Sequence, residues 1–191
     1  MTGGEPPELR LKRRLFFRDA SATLAAMKPE LELKTLLLRR PHLTLAVAES
    51  LTCGHVQARI GAVSGASGYF LGGVTAYTLD EKVKLLGVNR AAAKRVDCVS
   101  QRVAVEMAAG AAKLFGADLA LATTGYAEPN RPAGIREPMA WWALCHRQRG
   151  GRAAVISGLV SVPGAARVAV QERVTTLVLQ ELAAYLRELR A

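Results

Sequence analysis

The residues with the clearest chemical potential lie in three short segments, each placed after an apolar run that predicts a strand. Ser50 and Thr52 follow the first run, Tyr77 and Lys82 lie at the end of the second and just beyond it, and Thr124 follows the third. A serine hydroxyl attacks a carbonyl carbon efficiently when a nearby group accepts its proton. A lysine amine can accept it if burial or a neighbouring cation lowers its pKa and leaves it neutral. These residue types therefore suit Ser/Lys hydrolysis, provided that the fold brings the segments together.

Each segment also has a plainer interpretation. Ser50 and Thr52 precede a predicted helix, where hydroxyls can bind a phosphate at the helix N-terminus or only cap the helix. Tyr77 and Lys82 could be ordinary surface residues, and residues 123–129 could form only a polar turn. The spacing alone leaves these alternatives open.

Alternating strands and helices would position the three segments. Apolar runs bounded by turn residues predict strands over residues 43–48, 70–78, 117–123, 139–146 and 153–162. Apolar periodicity and capping residues predict helices over residues 30–40, 52–62, 79–86, 101–115 and 164–189. Alternation followed by a hairpin favours a mixed sheet with helices on both faces. In such a sheet, ligands bind in the crevice at the carboxyl ends of the strands.

Composition narrows the function classes. The 191 residues are 50% hydrophobic, which is enough for a packed core and excludes wholesale disorder. The three cysteines are widely spaced without a C-x-x-C pair, which argues against a zinc knuckle or a disulfide scaffold and favours a reducing, cytoplasmic setting. No apolar run approaches the ~20 residues of a membrane span. The sequence therefore predicts no membrane partner.

The positive charge lies away from the segments suited to chemistry. The formal net charge is +10, but residues 41–130 are nearly balanced, and the excess of Lys and Arg lies in the two ends. A basic surface can bind nucleic acid through phosphate contacts. No nucleic-acid motif accompanies it, so a solvated arginine-rich surface is the preferred interpretation and nucleic acid is an unlikely partner.

Residues 1–29 differ from the rest of the chain. The Gly3-Gly4 and Pro6-Pro7 pairs predict a disordered, basic N-terminal extension. Met27 precedes what looks like a clean domain start. We therefore expect the folded domain to cover residues 30–191.

Several motifs occur in an order that resembles one known family. The chain reads A-E-S-L-T-C-G at 48–54 and has Phe, Gly-Gly, Tyr and Lys spaced over 70–82. A-D-L-A-L at 117–121 is followed by T-G-Y-A-E-P at 124–129. These segments resemble the CinA C-terminal domain family, whose characterised members are nicotinamide mononucleotide deamidases of pyridine nucleotide salvage. The resemblance covers about residues 30–190.

The resemblance implies a three-layer α/β/α sandwich with a mixed sheet, commonly a homodimer, and a reaction that needs no metal or cofactor. Ser50 would be the nucleophile that attacks the carboxamide carbon. Lys82, together with Tyr77, would handle the proton. Thr124 would line the site and orient the substrate or the nucleophile. Nicotinamide mononucleotide would then be hydrolysed to nicotinic acid mononucleotide and ammonia.

The same resemblance implies a set of substrate-binding positions around the nucleophile. These are Glu49, Thr52, Cys53, Gly54, Gly125 and Ala127. Backbone N–H groups between Thr52 and Gly54 would face developing negative charge or the substrate phosphate.

The chain departs from the family pattern around the substrate. Cys53 replaces a glycine, Glu128 replaces another, Ala140 and Trp141 stand in a strand where the family has Gly-Thr, and Ala166 replaces an arginine that can meet the phosphate. Arg167 follows one position later, a shift of about 100° on a helix. The alternative function is therefore an impaired paralogue that binds a nucleotide-like ligand or a protein partner without turnover.

Alternation along the strand also predicts that Trp141 and Trp142 point to opposite faces. Cys53 could act as a second nucleophile, although a buried thiol is the commoner case.

Overall fold

The computed structural model describes residues 28–148, 151 and 153–191, together with the backbone of residues 9–13. The strands are Leu9–Arg13 (β1), Leu45–Glu49 (β2), Phe70–Thr75 (β3), Leu119–Tyr126 (β4), Met139–Arg147 (β5) and Ala153–Ser161 (β6). The helices are Pro29–Leu38 (α1), His55–Gly61 (α2), Leu79–Leu86 (α3), Arg90–Lys94 (α4), Gln101–Phe115 (α5) and Arg167–Arg190 (α6). Short 3-10 turns cover Ala66–Gly68 and Arg131–Ala133.

The six strands form one mixed sheet in the order β1-β6-β5-β4-β2-β3. Strands β3, β2 and β4 are parallel to one another, whereas β4, β5 and β6 pair antiparallel. The chain runs from β2 to β3 on one side and returns through α5 to β4 on the other side of β2. The carboxyl ends of β2 and β4 therefore lie side by side, at the type of crevice where open α/β sheets bind ligands.

Helices cover both faces of the sheet, which confirms the α/β sandwich. On one face, α1, α2 and α6 bury an aliphatic core that includes Leu37, Ile60 and Leu179. On the other face, α5 presents a run of small side chains to the sheet, and α3 packs against α5. A Cβ added to Gly110 of α5 would lie 2.1 Å from the carbonyl oxygen of Leu86, so glycine permits the close crossing of α5 and α3. That crossing fixes the position of α3, which carries Lys82.

Local signals account for the elements that were predicted well. α3 ends at Gly87 in the left-handed conformation, and α5 runs from the Ser100 cap to the left-handed Gly116, as the sequence predicts. Trp142 packs in the core beneath α6 and Trp141 packs against the opposite core, which confirms their alternation. The short helix α4 was not predicted. Its signal is the side chain of Asn89, which accepts a hydrogen bond from the N–H of Ala92 at 2.9 Å.

Two strand ends differ from the sequence expectation. β3 ends at Thr75, before Tyr77, and β4 continues to Tyr126, so Thr124 lies within a strand rather than in a polar turn.

Two helix starts also differ, for identifiable reasons. The helix predicted over 52–62 begins only at His55, because residues 51–54 form a turn and Gly54 takes a left-handed conformation at the N-cap. The last helix begins at Arg167 rather than at Gly164, which has a positive φ of 68°.

The N-terminal segment contains one correction. Leu9–Arg13 forms an edge strand parallel to β6, so the expectation of disorder is wrong for these five residues. Residues 1–8 and 14–27, including Met27, lie outside the described residues, as do the side chains of residues 9–13. Within the described part of the chain, no helix is both long enough and apolar enough to cross a membrane.

Candidate active site

The turn after β2 places the predicted nucleophile at the centre of the sheet edge. Ser50 is the first residue beyond β2, and its N–H donates to the carbonyl oxygen of Thr123 in β4 at 3.0 Å. Its side chain is 7% exposed. The hydroxyl is therefore held in the crevice between β2 and β4, directly beyond the strand end.

A buried carboxylate holds this turn together. Glu49 is fully buried, and its two oxygens accept the N–H groups of Gly54, Val56 and Gln57 at 2.9–3.1 Å. These N–H groups lie at the start of α2, where a carboxylate also interacts favourably with the helix dipole. The helix is thus capped by Glu49, and the interpretation that Ser50 and Thr52 only cap it is wrong.

Lys82 contacts Ser50 from α3. Its Nζ lies 2.9 Å from Ser50 Oγ and also 2.9 Å from the carbonyl oxygens of Ala76 and Tyr77. The lysine side chain is 1% exposed. Burial lowers the pKa of Lys82, against an opposing effect of Cys98 and Asp97. This environment favours a neutral amine more strongly than water does.

Tyr77 reaches the site in two ways. Its carbonyl oxygen accepts from Lys82, whereas its side chain is 53% exposed and lines the cavity. The pKa of Arg167 is raised first by its hydrogen bond to Glu128 and, to a smaller extent, by the phenol of Tyr77. The residue therefore meets Lys82 through its main chain and Arg167 through its side chain.

The last predicted chemical residue, Thr124, lies on the opposite wall. Its hydroxyl is buried and donates to the carbonyl oxygen of Cys98 at 2.8 Å. Asp97 and Cys98 both have positive φ angles, 47° and 61°. For residues other than glycine such angles are uncommon and cost energy, and they often occur at functional sites. Thr124 thus holds a strained segment of the cavity wall in place.

These groups surround one cavity of about 330 Å³. Ser50, Tyr77, Lys82 and Thr124 all line it, together with the predicted Gly125 and Ala127. A Cβ added to Gly125 would lie 2.2 Å from the carbonyl oxygen of Met139, so glycine lets β4 and β5 approach at this wall. We call the buried Ser50, Lys82 and Thr124 the cavity floor, and the exposed Tyr77, Glu128 and Arg167 the cavity rim.

The other four predicted binding residues do not line the cavity. Glu49 caps α2, Thr52 shares a 2.7 Å hydrogen bond with the hydroxyl of Thr123, and Gly54 donates its N–H to Glu49. Cys53 donates its N–H to the carbonyl oxygen of Ser50 at 3.2 Å, and its thiol is exposed rather than buried. The N–H groups of Cys53 and Gly54 are therefore occupied within the turn and do not face a ligand.

Sequence reasoning missed part of the wall. Tyr126 donates its hydroxyl to Asp97 at 2.9 Å, and burial together with this bond raises the pKa of Tyr126 to about 12. The strained Asp97-Cys98 pair has no sequence signal beyond the tolerance of aspartate for a left-handed conformation. Trp141 and Trp142 do not line the cavity, so neither closes it. Within the described residues, no group of three or more His, Cys, Asp or Glu side chains is suited to a metal ion.

Comparison with known proteins identifies the family of the chain. The model of the CinA C-terminal domain matches residues 29–186. The chain belongs to the CinA C-terminal domain family. A CinA-like protein of Mycobacterium marinum is 38% identical over 138 residues, which are 72% of this chain and 32% of that protein. A CinA-like protein of a Picosynechococcus strain is 50% identical over 93 residues, which are 49% of this chain and 22% of that protein. The chain thus spans about a fifth to a third of the length of the curated relatives it matches.

Solved CinA superfamily structures share the fold. A protein from Escherichia coli is 26% identical with a TM-score of 0.71, and the match covers 85% of this chain and 94% of that one. A protein from Enterobacter cloacae is 24% identical with a TM-score of 0.74, and the match covers 91% and 98% of the two chains. The latter likeness supports the CinA fold alone.

Proposed function

We propose that this CinA-family protein is an amide hydrolase that converts nicotinamide mononucleotide to nicotinic acid mononucleotide and ammonia. The observation that carries the proposal is the 2.9 Å contact between Lys82 Nζ and Ser50 Oγ, in a buried position that opens into a cavity. This contact joins a nucleophile to a group that can accept its proton. The substrate itself comes from the family resemblance.

The hydrogen bonds of Lys82 suit a base. A neutral amine has two N–H groups and one lone pair. Nζ donates to Ser50 Oγ as well as to the carbonyl oxygens of Ala76 and Tyr77, which is the pattern of the charged amine. When the amine loses a proton, the two carbonyl oxygens keep the two remaining N–H groups, and the lone pair faces the hydroxyl of Ser50. In this neutral state Ser50 donates to Lys82, which is the polarity that general-base catalysis requires.

The reaction then proceeds in two balanced stages. Ser50 Oγ bonds to the carboxamide carbon while its proton passes to Lys82, and a tetrahedral intermediate forms. Lys82 returns the proton to the amide nitrogen as the C–N bond breaks, so ammonia leaves and an acyl-enzyme remains. Water then gives a proton to Lys82 and attacks the ester. Collapse of this second intermediate breaks the C–O bond to Ser50 Oγ, which takes the proton back from Lys82, and the carboxylic acid that is released loses its own proton to water.

The test is ammonia release from nicotinamide mononucleotide by the purified protein, with Ser50→Ala as the variant. We expect turnover by the natural sequence and loss of about 10³-fold or more in the variant, as for other activated serine nucleophiles. No ammonia at high protein concentration would overturn the proposal. Full activity in Ser50→Ala would remove Ser50 as the nucleophile.

A binding protein without turnover is the second candidate. The Glu128–Arg167 ion pair favours it over turnover of the mononucleotide, because Glu128 occupies the guanidinium that would otherwise position a substrate phosphate. Calorimetric binding of nicotinamide mononucleotide without ammonia release would favour this candidate.

We also propose a homodimer, as the resemblance implies, which light scattering on the full chain would test.

A further inference from the structure

An ion pair at the cavity rim plays no part in the Ser50–Lys82 chemistry. Glu128 follows β4, and Arg167 is the first residue of α6. Arg167 Nε donates to Glu128 Oε2 at 3.1 Å, and Nη2 of the same guanidinium contacts the same oxygen. Both residues line the cavity that contains Ser50. The pair is therefore placed to meet whatever part of a ligand extends away from the reacting carbon.

Arg167 is the cation left for an anionic group of the ligand. Among the described residues that line the cavity, the basic side chains are Lys82 and Arg167. Lys82 is committed to Ser50 and to two carbonyl oxygens. A phosphate that enters the cavity must therefore displace Glu128 from Arg167, or it binds without a cationic side chain from the cavity lining.

The remaining charges of the wall favour a different ligand. Asp97 and Glu128 contribute two carboxylates to the cavity lining. An N-glycosylated pyridinium ring carries a positive charge, which these carboxylates attract. A phosphate dianion makes the same molecule anionic, so the carboxylates repel it.

We propose that Glu128 is a specificity-determining residue that competes with a substrate phosphate for Arg167, so that the site takes unphosphorylated pyridinium ribosides at least as readily as mononucleotides. The proposal rests on the proposed function for the identity of the reacting group. The competition is modest in size, because the side chains of Arg167 and Glu128 are 48% and 56% exposed. Exposed ion pairs of this type contribute little to stability, so a ligand can displace one partner from the other.

Equilibrium binding tests the proposal separately from turnover. Dissociation constants of nicotinamide mononucleotide and nicotinamide riboside are measured by calorimetry on Ser50→Ala protein, with and without Glu128→Gln. We expect Glu128→Gln to tighten binding of the mononucleotide about fivefold, the size of one exposed ion pair. Binding of the riboside should stay unchanged or weaken. In active protein, kcat/KM for the two substrates should change in the same directions.

A double variant and a matched control complete the test. The mononucleotide gain should disappear in Glu128→Gln/Arg167→Gln, because the gain requires the released guanidinium. Glu137→Gln removes an exposed carboxylate that does not line the cavity, and it should change neither constant. An equal gain for both ligands, a gain that persists without Arg167, or no binding of either ligand would overturn the inference. Measurable binding without ammonia from either substrate would overturn the proposed function alone.

Discussion

The floor and the rim of the cavity follow different physical rules. At the floor, Ser50, Lys82 and Thr124 are nearly inaccessible to water, and each hydrogen bonds to a defined neighbour. At the rim, Glu128 and Arg167 are about half exposed and bond to each other. Removing the hydrogen-bond partner of a buried polar group lowers the stability of the protein substantially, whereas breaking an exposed ion pair lowers it little. The floor can therefore tolerate little change without losing the chemistry, while the rim can change its charge and alter which ligand binds.

The largest expected effect comes from removing the amine at the floor. Lys82→Met should lower ammonia release by at least about 10³-fold, because Ser50 loses its proton acceptor. It should also lower the free energy of unfolding by about 1–3 kcal/mol, since the carbonyl oxygens of Ala76 and Tyr77 lose their donor. Steady-state kinetics and urea unfolding measure the two effects.

Lys84→Met is the control for this variant. Lys84 lies on the same helix, but its side chain is 73% exposed. Both measurements should stay close to those of the natural sequence. If the two lysine variants retained equal activity, the floor would not be the site of chemistry.

The second prediction concerns the carboxylate beneath the floor. Glu49→Gln replaces an acceptor of three N–H groups by an amide whose NH₂ group faces some of these donors. We expect a loss of about 2–4 kcal/mol in the free energy of unfolding, because charged hydrogen bonds are broken inside the protein. Activity should fall as well, since the turn that carries Ser50 loosens. Urea unfolding with Glu137→Gln as the control measures the effect, and equal stability of the two variants would contradict it.

The third prediction concerns the effect of the charge of Asp97, in the strained wall, on the pKa of Lys82 at the floor. Burial lowers the pKa of Lys82, and the negative charge of Asp97 opposes this effect. Asp97→Asn should therefore lower the pKa of Lys82 further. In the proposed mechanism the neutral amine is the active form, so kcat/KM should rise with pH through this pKa, and the midpoint should move to lower pH in the variant. Asparagine tolerates the left-handed φ of 47° at this position. A pH–rate profile measures the midpoint, and a shift to higher pH would contradict the assignment.

The sequence predicts the elements and the floor better than it predicts the rim. Strands and helices follow from local signals such as the Ser100 cap and the terminal Gly116, and the family resemblance points to Ser50 and Lys82. The role of Glu49 was not predicted, because three backbone N–H groups converge on its carboxylate only after the turn has folded. The proximity of Glu128 to Arg167, 39 residues apart, likewise depends on how the β4–β5 loop meets α6.

The smallest expected effect concerns Cys53, which lies in the turn between β2 and α2, outside both the floor and the rim. Cys53 has a φ of 48°, a conformation that costs energy for any residue with a Cβ, and its side chain is exposed. Cys53→Gly removes this strain but adds freedom to the unfolded chain, so the free energy of unfolding should rise by only about 0.5 kcal/mol.

Because Cys53 does not line the cavity, Cys53→Gly should leave kcat/KM within about twofold of the natural value. Cys98→Gly is the matched comparison, since Cys98 has a φ of 61° and does line the cavity. That variant relieves the same type of strain but loosens the carbonyl that Thr124 holds, so its activity should fall. If Cys53→Gly lowered kcat/KM as much as Cys98→Gly does, the turn at Cys53 would belong to the site, and the division between floor and rim would have to include it.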